Sequence, residues 1–151
     1  MKKLSDFVKC YENLIDKNLC DKIVNRKDMT FNKAATGGYE EINPARKCYT
    51  KKLEDEFSDD VYKIVGKILK LYKQDEPEFV IGATTEDTGY DHLLYLGSEK
   101  GEYKEHTDHF DFFPRVLSCS LILNDDYEGG DFSFFGGKYI VPKKAGSVVV
   151  F

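Results

Sequence analysis

The stretch Arg115-Val116-Leu117-Ser118-Cys119-Ser120-Leu121-Ile122-Leu123-Asn124-Asp125-Asp126-Tyr127-Glu128-Gly129-Gly130-Asp131-Phe132-Ser133-Phe134-Phe135 decides the fold class. An apolar run ends in an acidic, glycine-rich turn, and an aromatic run follows. This is the pattern of strand, turn and strand. Alternation within the first run puts Ser118, Ser120 and Ile122 on one face and Cys119, Leu121 and Leu123 on the other.

The same punctuation extends in both directions. Runs at Tyr90–Leu96, Tyr103–Asp108, Arg115–Leu123, Asp131–Phe135, Tyr139–Val141 and Ser147–Phe151 are separated by Gly97–Gly101, Asn124–Gly130, Gly136-Gly137 and Pro142–Gly146. Many short strands with glycine-rich turns predict a sandwich or barrel, of which a helix-backed jelly roll is one form. Asp125, Asp126 and Glu128 lack the spacing of a calcium loop and read as a solvated turn.

Before about Glu78 the periodicity is helical. Phe7–Tyr11 reads as a strand and Asp16 as an N-cap. Leu19, Cys20, Ile23 and Val24 follow at helical spacing, ending near Arg26. Phe31–Tyr49, with Gly37-Gly38 and Pro44, reads as irregular. A second helix is predicted from Ser58 to before Pro77, with Asp59 and Asp60 in its first turn and an apolar stripe of Val61, Ile64, Val65, Ile68 and Tyr72. Lys63, Lys67, Lys70 and Lys73 fall on its solvated side. The expectation is one α+β domain, with helical support over about 1–77 and strands over about 78–151.

The bulk numbers narrow the function. With 151 residues, 41% hydrophobic and 14% aromatic, the chain can bury a single core. Its net charge of −5 argues against a nucleic-acid partner. There is no apolar run of about 18 residues to suggest a membrane span, and the N-terminus lacks a signal-peptide pattern. The four cysteines, Cys10, Cys20, Cys48 and Cys119, form no C-x-x-C pair; they read as reduced cytoplasmic thiols, with Cys20 and Cys119 as small core residues.

The chemistry centres on His106-Thr107-Asp108. On a strand, residues two apart share a face, so an imidazole and a carboxylate would converge on one point. That is two-thirds of a 2-His-1-carboxylate triad, the arrangement that leaves positions open on Fe(II). His109 has the opposite parity, and His92 shares neither parity nor spacing with the motif, so neither is expected to be a ligand.

The ordered series Tyr95-Leu96-Gly97 through Tyr103 and His106-Thr107-Asp108, then Arg115–Leu123, Leu123-Asn124, Gly129-Gly130 and Ala145-Gly146-Ser147-Val148-Val149-Val150-Phe151, resembles the prolyl 4-hydroxylase-like branch of the 2-oxoglutarate/Fe(II)-dependent dioxygenases. The resemblance covers about Tyr90–Phe151 and implies a double-stranded β-helix, or jelly roll, with supporting N-terminal helices. It implies His106 and Asp108 as metal ligands. It gives Tyr95 the role of binding the distal carboxylate of 2-oxoglutarate, and Tyr103 that of walling the cosubstrate pocket; both also read as ordinary packed strand aromatics. Ile122 stands where some relatives carry a second cosubstrate-binding tyrosine. Arg115, at the mouth, is a candidate for an acidic substrate group or for a surface ion pair.

The family's distal histidine and arginine fall beyond Phe151, so the expectation is a domain incomplete at its C-terminus. The resemblance further implies Fe(II), 2-oxoglutarate and dioxygen, ascorbate as an accessory reductant, and a prolyl residue of a protein or peptide as substrate. Two other readings stand beside it: a non-catalytic jelly-roll binding module without the complete triad, and a zinc hydrolase using His106, Asp108 and another histidine.

Overall fold

The computed structural model describes residues 2–26, 30–35, 44–53, 57–78, 86–109 and 114–151. Gly37 and Gly38, and residues 79–85 at the change from helical to strand pattern, lie outside these. The described fold is mixed α+β, with helices and several antiparallel sheets.

Its centre is a three-stranded antiparallel sheet ordered β1 (Lys9–Tyr11), β10 (Val148–Val150), β7 (Cys119–Leu121). Val148 pairs with Tyr11 on one side and Leu121 on the other, so β10 is hydrogen-bonded along both edges. Both its faces are covered as well. Val148 and Val150 join Ile15, Cys20, Ile68 and Tyr72, with Leu117, Cys119, Leu121 and Leu123 of the β7 segment packed against that cluster. Val149 points the other way and joins Val8 and Val141, with Ile122, Phe132, Phe134, Phe135, Tyr139 and Phe151 around them. A strand of consecutive valines has no polar face to offer water, and this one is fully buried, with each valine at 0% exposure. The alternation read from Arg115–Leu123 holds: the Cys119/Leu121/Leu123 face lies on the helices, and Ile122 lies on the opposite side.

The helices supply one layer. Helix α1 (Lys17–Val24) starts where Asp16 accepts a hydrogen bond from the Asn18 N–H at 2.9 Å, and it buries Cys20 and Ile23. Helix α2 (Ser58–Asp75) buries Val61, Ile68 and Tyr72, while Lys63, Lys67, Lys70 and Lys73 stay exposed. Among the described residues, no helix is long and apolar enough to cross a membrane. The opposite layer is the hairpin of β8 (Ser133–Phe134) and β9 (Tyr139–Ile140), whose aromatic rings cover the other face of β10. All four cysteines are free thiols; Cys20 and Cys48 are buried.

Three expectations need correction. The first strand begins at Lys9 and not at Phe7, because Leu4–Phe7 is a 3-10 turn closed by the Asp6 carboxylate accepting from the Lys3 N–H at 2.8 Å. The segment Phe31–Tyr49 is not wholly irregular: β2 (Asn32–Lys33) and β3 (Arg46–Lys47) lie within it, and β4 (Tyr49–Lys52) begins at its end. The strand expected over Tyr103–Asp108 ends early, since β6 spans only Glu102–Tyr103. There the chain bends, and side-chain bonds replace the ladder: Glu105 accepts from the Gly136 N–H at 2.9 Å, and the His106 ring folds back on the Lys104 carbonyl.

β4 pairs with β2 and with β5 (Asp91–Leu94), and β3 pairs with β6 so that Arg46 stands opposite Tyr103.

Two contacts lock the layers together. Gly146 has φ +84°, and a Cβ there would stand 2.8 Å from the Ile15 carbonyl oxygen. Its own carbonyl accepts from the Leu14 and Ile15 N–H groups, and its N–H donates to the Ile122 carbonyl. Gly146→Ala should therefore cost on the order of 3 kcal/mol in chemical denaturation, through left-handed strain plus the backbone clash. Glu76, at the end of α2, is 2% exposed and accepts hydrogen bonds from Lys2 and from Lys9, the latter at 2.8 Å. These bonds, Lys2 first, hold its carboxyl below the ordinary value of 4.5. Its stabilisation is present above that value and is lost as pH falls through the lower folded value. Glu76→Gln should accordingly flatten the acid limb of stability below about pH 4.5, measured by thermal melts across pH.

Candidate functional site

The bend after β6 turns His106 and Asp108 toward each other. His106 Nε2 lies 3.2 Å from Asp108 Oδ1, and their side chains are 36% and 28% exposed. His106 Nδ1 lies 2.7 Å from the Lys104 carbonyl oxygen, which can only accept. Nδ1 therefore carries a hydrogen, and Nε2 is the nitrogen turned to the carboxylate. Two lone-pair atoms at this separation repel unless positive charge stands between them, either a proton or a cation. Two ligands about 2.1 Å from an octahedral ion and at right angles to each other stand roughly 3 Å apart. The pair thus has the spacing of two neighbouring ligands on one ion.

Each member is held from behind. Tyr103 stacks on the His106 ring, with centroids 3.6 Å apart and planes 20° from parallel. Ser118 donates its hydroxyl to Asp108 Oδ2 at 2.5 Å, leaving Oδ1 facing the imidazole. Ser118 is itself fixed to the central sheet, since its N–H donates to the Phe151 carbonyl at 2.8 Å and its carbonyl accepts from the Phe151 N–H at 3.0 Å. The carboxylate is therefore tied to the end of the β7–β10 ladder. Ser118, one member of the serine face read from alternation, meets the site.

Other predicted residues distribute around this pair. Arg115 lies 3.8 Å from Asp108 Oδ2, so its placement is that of an ion pair with the site carboxylate. Tyr95 retains 43% exposure. Its hydroxyl end is desolvated and hydrogen-bonded with Cys48, which raises its pKa, burial being the larger cause, so the group stays protonated. His92 packs edge-on against Phe31 at 5.1 Å. Among the described residues, no group of three His, Cys, Asp or Glu side chains could hold a metal ion. Neither His92 nor His109 therefore completes a set with His106 and Asp108, which contribute two ligands between them.

Sequence reasoning passed over Arg46. Its guanidinium lies 4.7 Å from the Tyr103 ring centroid, on the same ring that backs His106. Two-residue charged strands such as β3 carry no apolar alternation, so only the cross-strand register with β6 reveals this neighbour.

No protein-family model matches the chain, and no curated protein or solved structure matches it either.

The Ser118 hydroxyl is the contact that joins site to core. Ser118→Ala should lower stability by roughly 1 kcal/mol in denaturant titration by leaving a half-buried carboxylate oxygen without its donor. Ser118→Thr, which keeps the hydroxyl, should restore most of it.

Proposed function

We propose that the chain is an Fe(II)- and 2-oxoglutarate-dependent oxygenase that hydroxylates an unactivated C–H bond, with a prolyl residue of a protein or peptide as substrate. In this reading the antiparallel sheets are the strands of a double-stranded β-helix supported by α1 and α2. The observation that carries it is the 3.2 Å approach of His106 Nε2 to Asp108 Oδ1, with each group's other polar atom already committed elsewhere.

His106 and Asp108 would hold the ion. Bound Fe(II) would couple oxidative decarboxylation of 2-oxoglutarate to hydroxylation of the substrate. The protein's own work is orientation. The Lys104 carbonyl keeps the hydrogen on Nδ1 and so presents the Nε2 lone pair. Ser118 takes up Oδ2 and so presents Oδ1. Such outer partners fix ligand geometry and basicity. Tyr103 restricts the imidazole to one plane, and Arg115 lowers the charge cost of a carboxylate that is only partly solvated. The supply of two protein ligands among the described residues also suits the second reading, a jelly-roll binding module without metal chemistry.

The two separate in one experiment. Anaerobic calorimetry with Mn(II) or Fe(II) should show one site per chain, and Fe(II), ascorbate and 2-oxoglutarate in air should release succinate. His106→Ala and Asp108→Ala should each abolish both signals while leaving the circular dichroism spectrum unchanged. A wild-type chain that takes up no metal and releases no succinate would favour the binding module. Bound zinc with hydrolysis would favour a hydrolase.

A further inference from the structure

His106 sits on a bend, and the residue before it ties that bend down. β6 ends at Tyr103, where the Lys104 N–H still donates to the Ala45 carbonyl at 2.9 Å. Beyond that bond the backbone leaves the ribbon. Glu105 then reaches a partner 31 residues along the chain, its Oε1 accepting from the Gly136 N–H at 2.9 Å. Gly136 belongs to the turn between β8 and β9. In that turn Phe135 has φ +57°, followed by Gly136 at +64° and Gly137 at +79°. A bulky residue in the left-handed region is strained, and such strain persists only where neighbouring contacts over-determine it. Here the Phe134 ring lies 6.1 Å from the Phe135 ring, and the Glu105 carboxylate takes up the N–H that follows Phe135.

The hairpin stands on the same residue that fixes the other member of the pair. The Phe132 and Phe134 rings meet the Phe151 ring, with centroids 5.6 Å and 4.9 Å away. The Phe151 backbone pairs with Ser118, and the Ser118 hydroxyl holds Asp108. Asp108 is thus registered to Phe151 through Ser118, and His106 through Glu105, Gly136 and the aromatic rings. An approach of 3.2 Å between Nε2 and Oδ1 needs both routes to keep the same reference. The Lys104 carbonyl that orients the imidazole belongs to the peptide unit joining Lys104 to Glu105, so a swing of Glu105 turns the ring as well.

Resting on the oxygenase reading, we propose that Glu105 is the positioning residue for the His106 imidazole and that the β8–β9 turn is its receptor, so that order in the turn and cation affinity at His106 and Asp108 rise and fall together. Such coupling is reciprocal: what the turn does for the ion, the ion does for the turn. The Glu105–Gly136 bond is exposed to water and adds little to global stability, so its loss shows locally.

The test is Mn(II) calorimetry on the full chain without oxygen, with hydrogen exchange of the 135–138 backbone read by mass spectrometry. Glu105→Ala should weaken Mn(II) binding roughly tenfold and speed exchange across the turn, while the thermal melt of the metal-free chain hardly moves. Glu105→Gln loses the charge but keeps a carbonyl acceptor, and should retain near wild-type affinity. Mn(II) should slow exchange of the turn in the wild type and not in Glu105→Ala. Wild-type affinity in Glu105→Ala overturns the proposal, as does an equal loss in Glu105→Ala and Glu105→Gln, which would mark an effect of charge alone. Should Glu105→Ala fail to fold, Glu105→Asp, which keeps the charge and shortens the reach, decides in its place: weakened binding supports the proposal and wild-type affinity overturns it. A wild-type chain that takes up no Mn(II) defeats the oxygenase reading itself, and the positioning role with it. Mn(II) uptake that is indifferent to Glu105 defeats only the positioning role.

Discussion

Val148–Val150 has no free side. Its edges are hydrogen-bonded to β1 and β7, one face is packed on the helices, and the other lies under the aromatic hairpin. Such a strand can occupy only one position and one register, because a slip by one residue would exchange the valines between two cores of different shape. The rest of the described fold is arranged around that restriction. The Gly146 turn delivers the chain into the strand while receiving the Leu14–Ile15 backbone, and the two remaining layers meet across it. Side chains in close-packed interiors move little, so whatever is attached to the strand inherits its rigidity.

Asp108 is attached to it. The Ser118–Phe151 backbone pair continues the β7–β10 ladder by one step, and the Ser118 hydroxyl reaches from there to the carboxylate. His106 is positioned from a different direction, by its own backbone at Lys104 and by Tyr103 on β6. A polar pair that must meet at 3.2 Å is thus held by two separate supports, one from the central sheet and one from a short two-stranded ribbon. This is how a site on an irregular segment can be as well defined as one on a strand: the segment is free of the ladder, but its side chains are not.

The features legible in the sequence were those with local periodicity. The Leu19/Cys20/Ile23 and Val61/Ile68/Tyr72 stripes marked both helices, and the Ser118/Cys119/Ser120/Leu121 alternation gave the two faces of β7. Polar pairs such as Asn32-Lys33 and Arg46-Lys47 are not legible as strands, because their pairing partners lie elsewhere along the chain and no apolar face announces them. Convergence of His106 with Asp108 was expected from the parity of a strand. The two do approach each other, yet on a bent segment past the end of β6, where side-chain bonds to Lys104 and Ser118 do what strand geometry was expected to do. Arg46 stayed hidden for the same reason as its strand.

In the proposed function, His106 Nε2 and Asp108 Oδ1 share one cation. Pulsed electron paramagnetic resonance on Mn(II) bound to the chain reads this directly, through coupling of the electron spin to a coordinated imidazole nitrogen. One such nitrogen signal is expected, persisting in His92→Ala and His109→Ala and vanishing in His106→Ala. Bound manganese without nitrogen coupling, or a coupling that survives loss of His106, would contradict it.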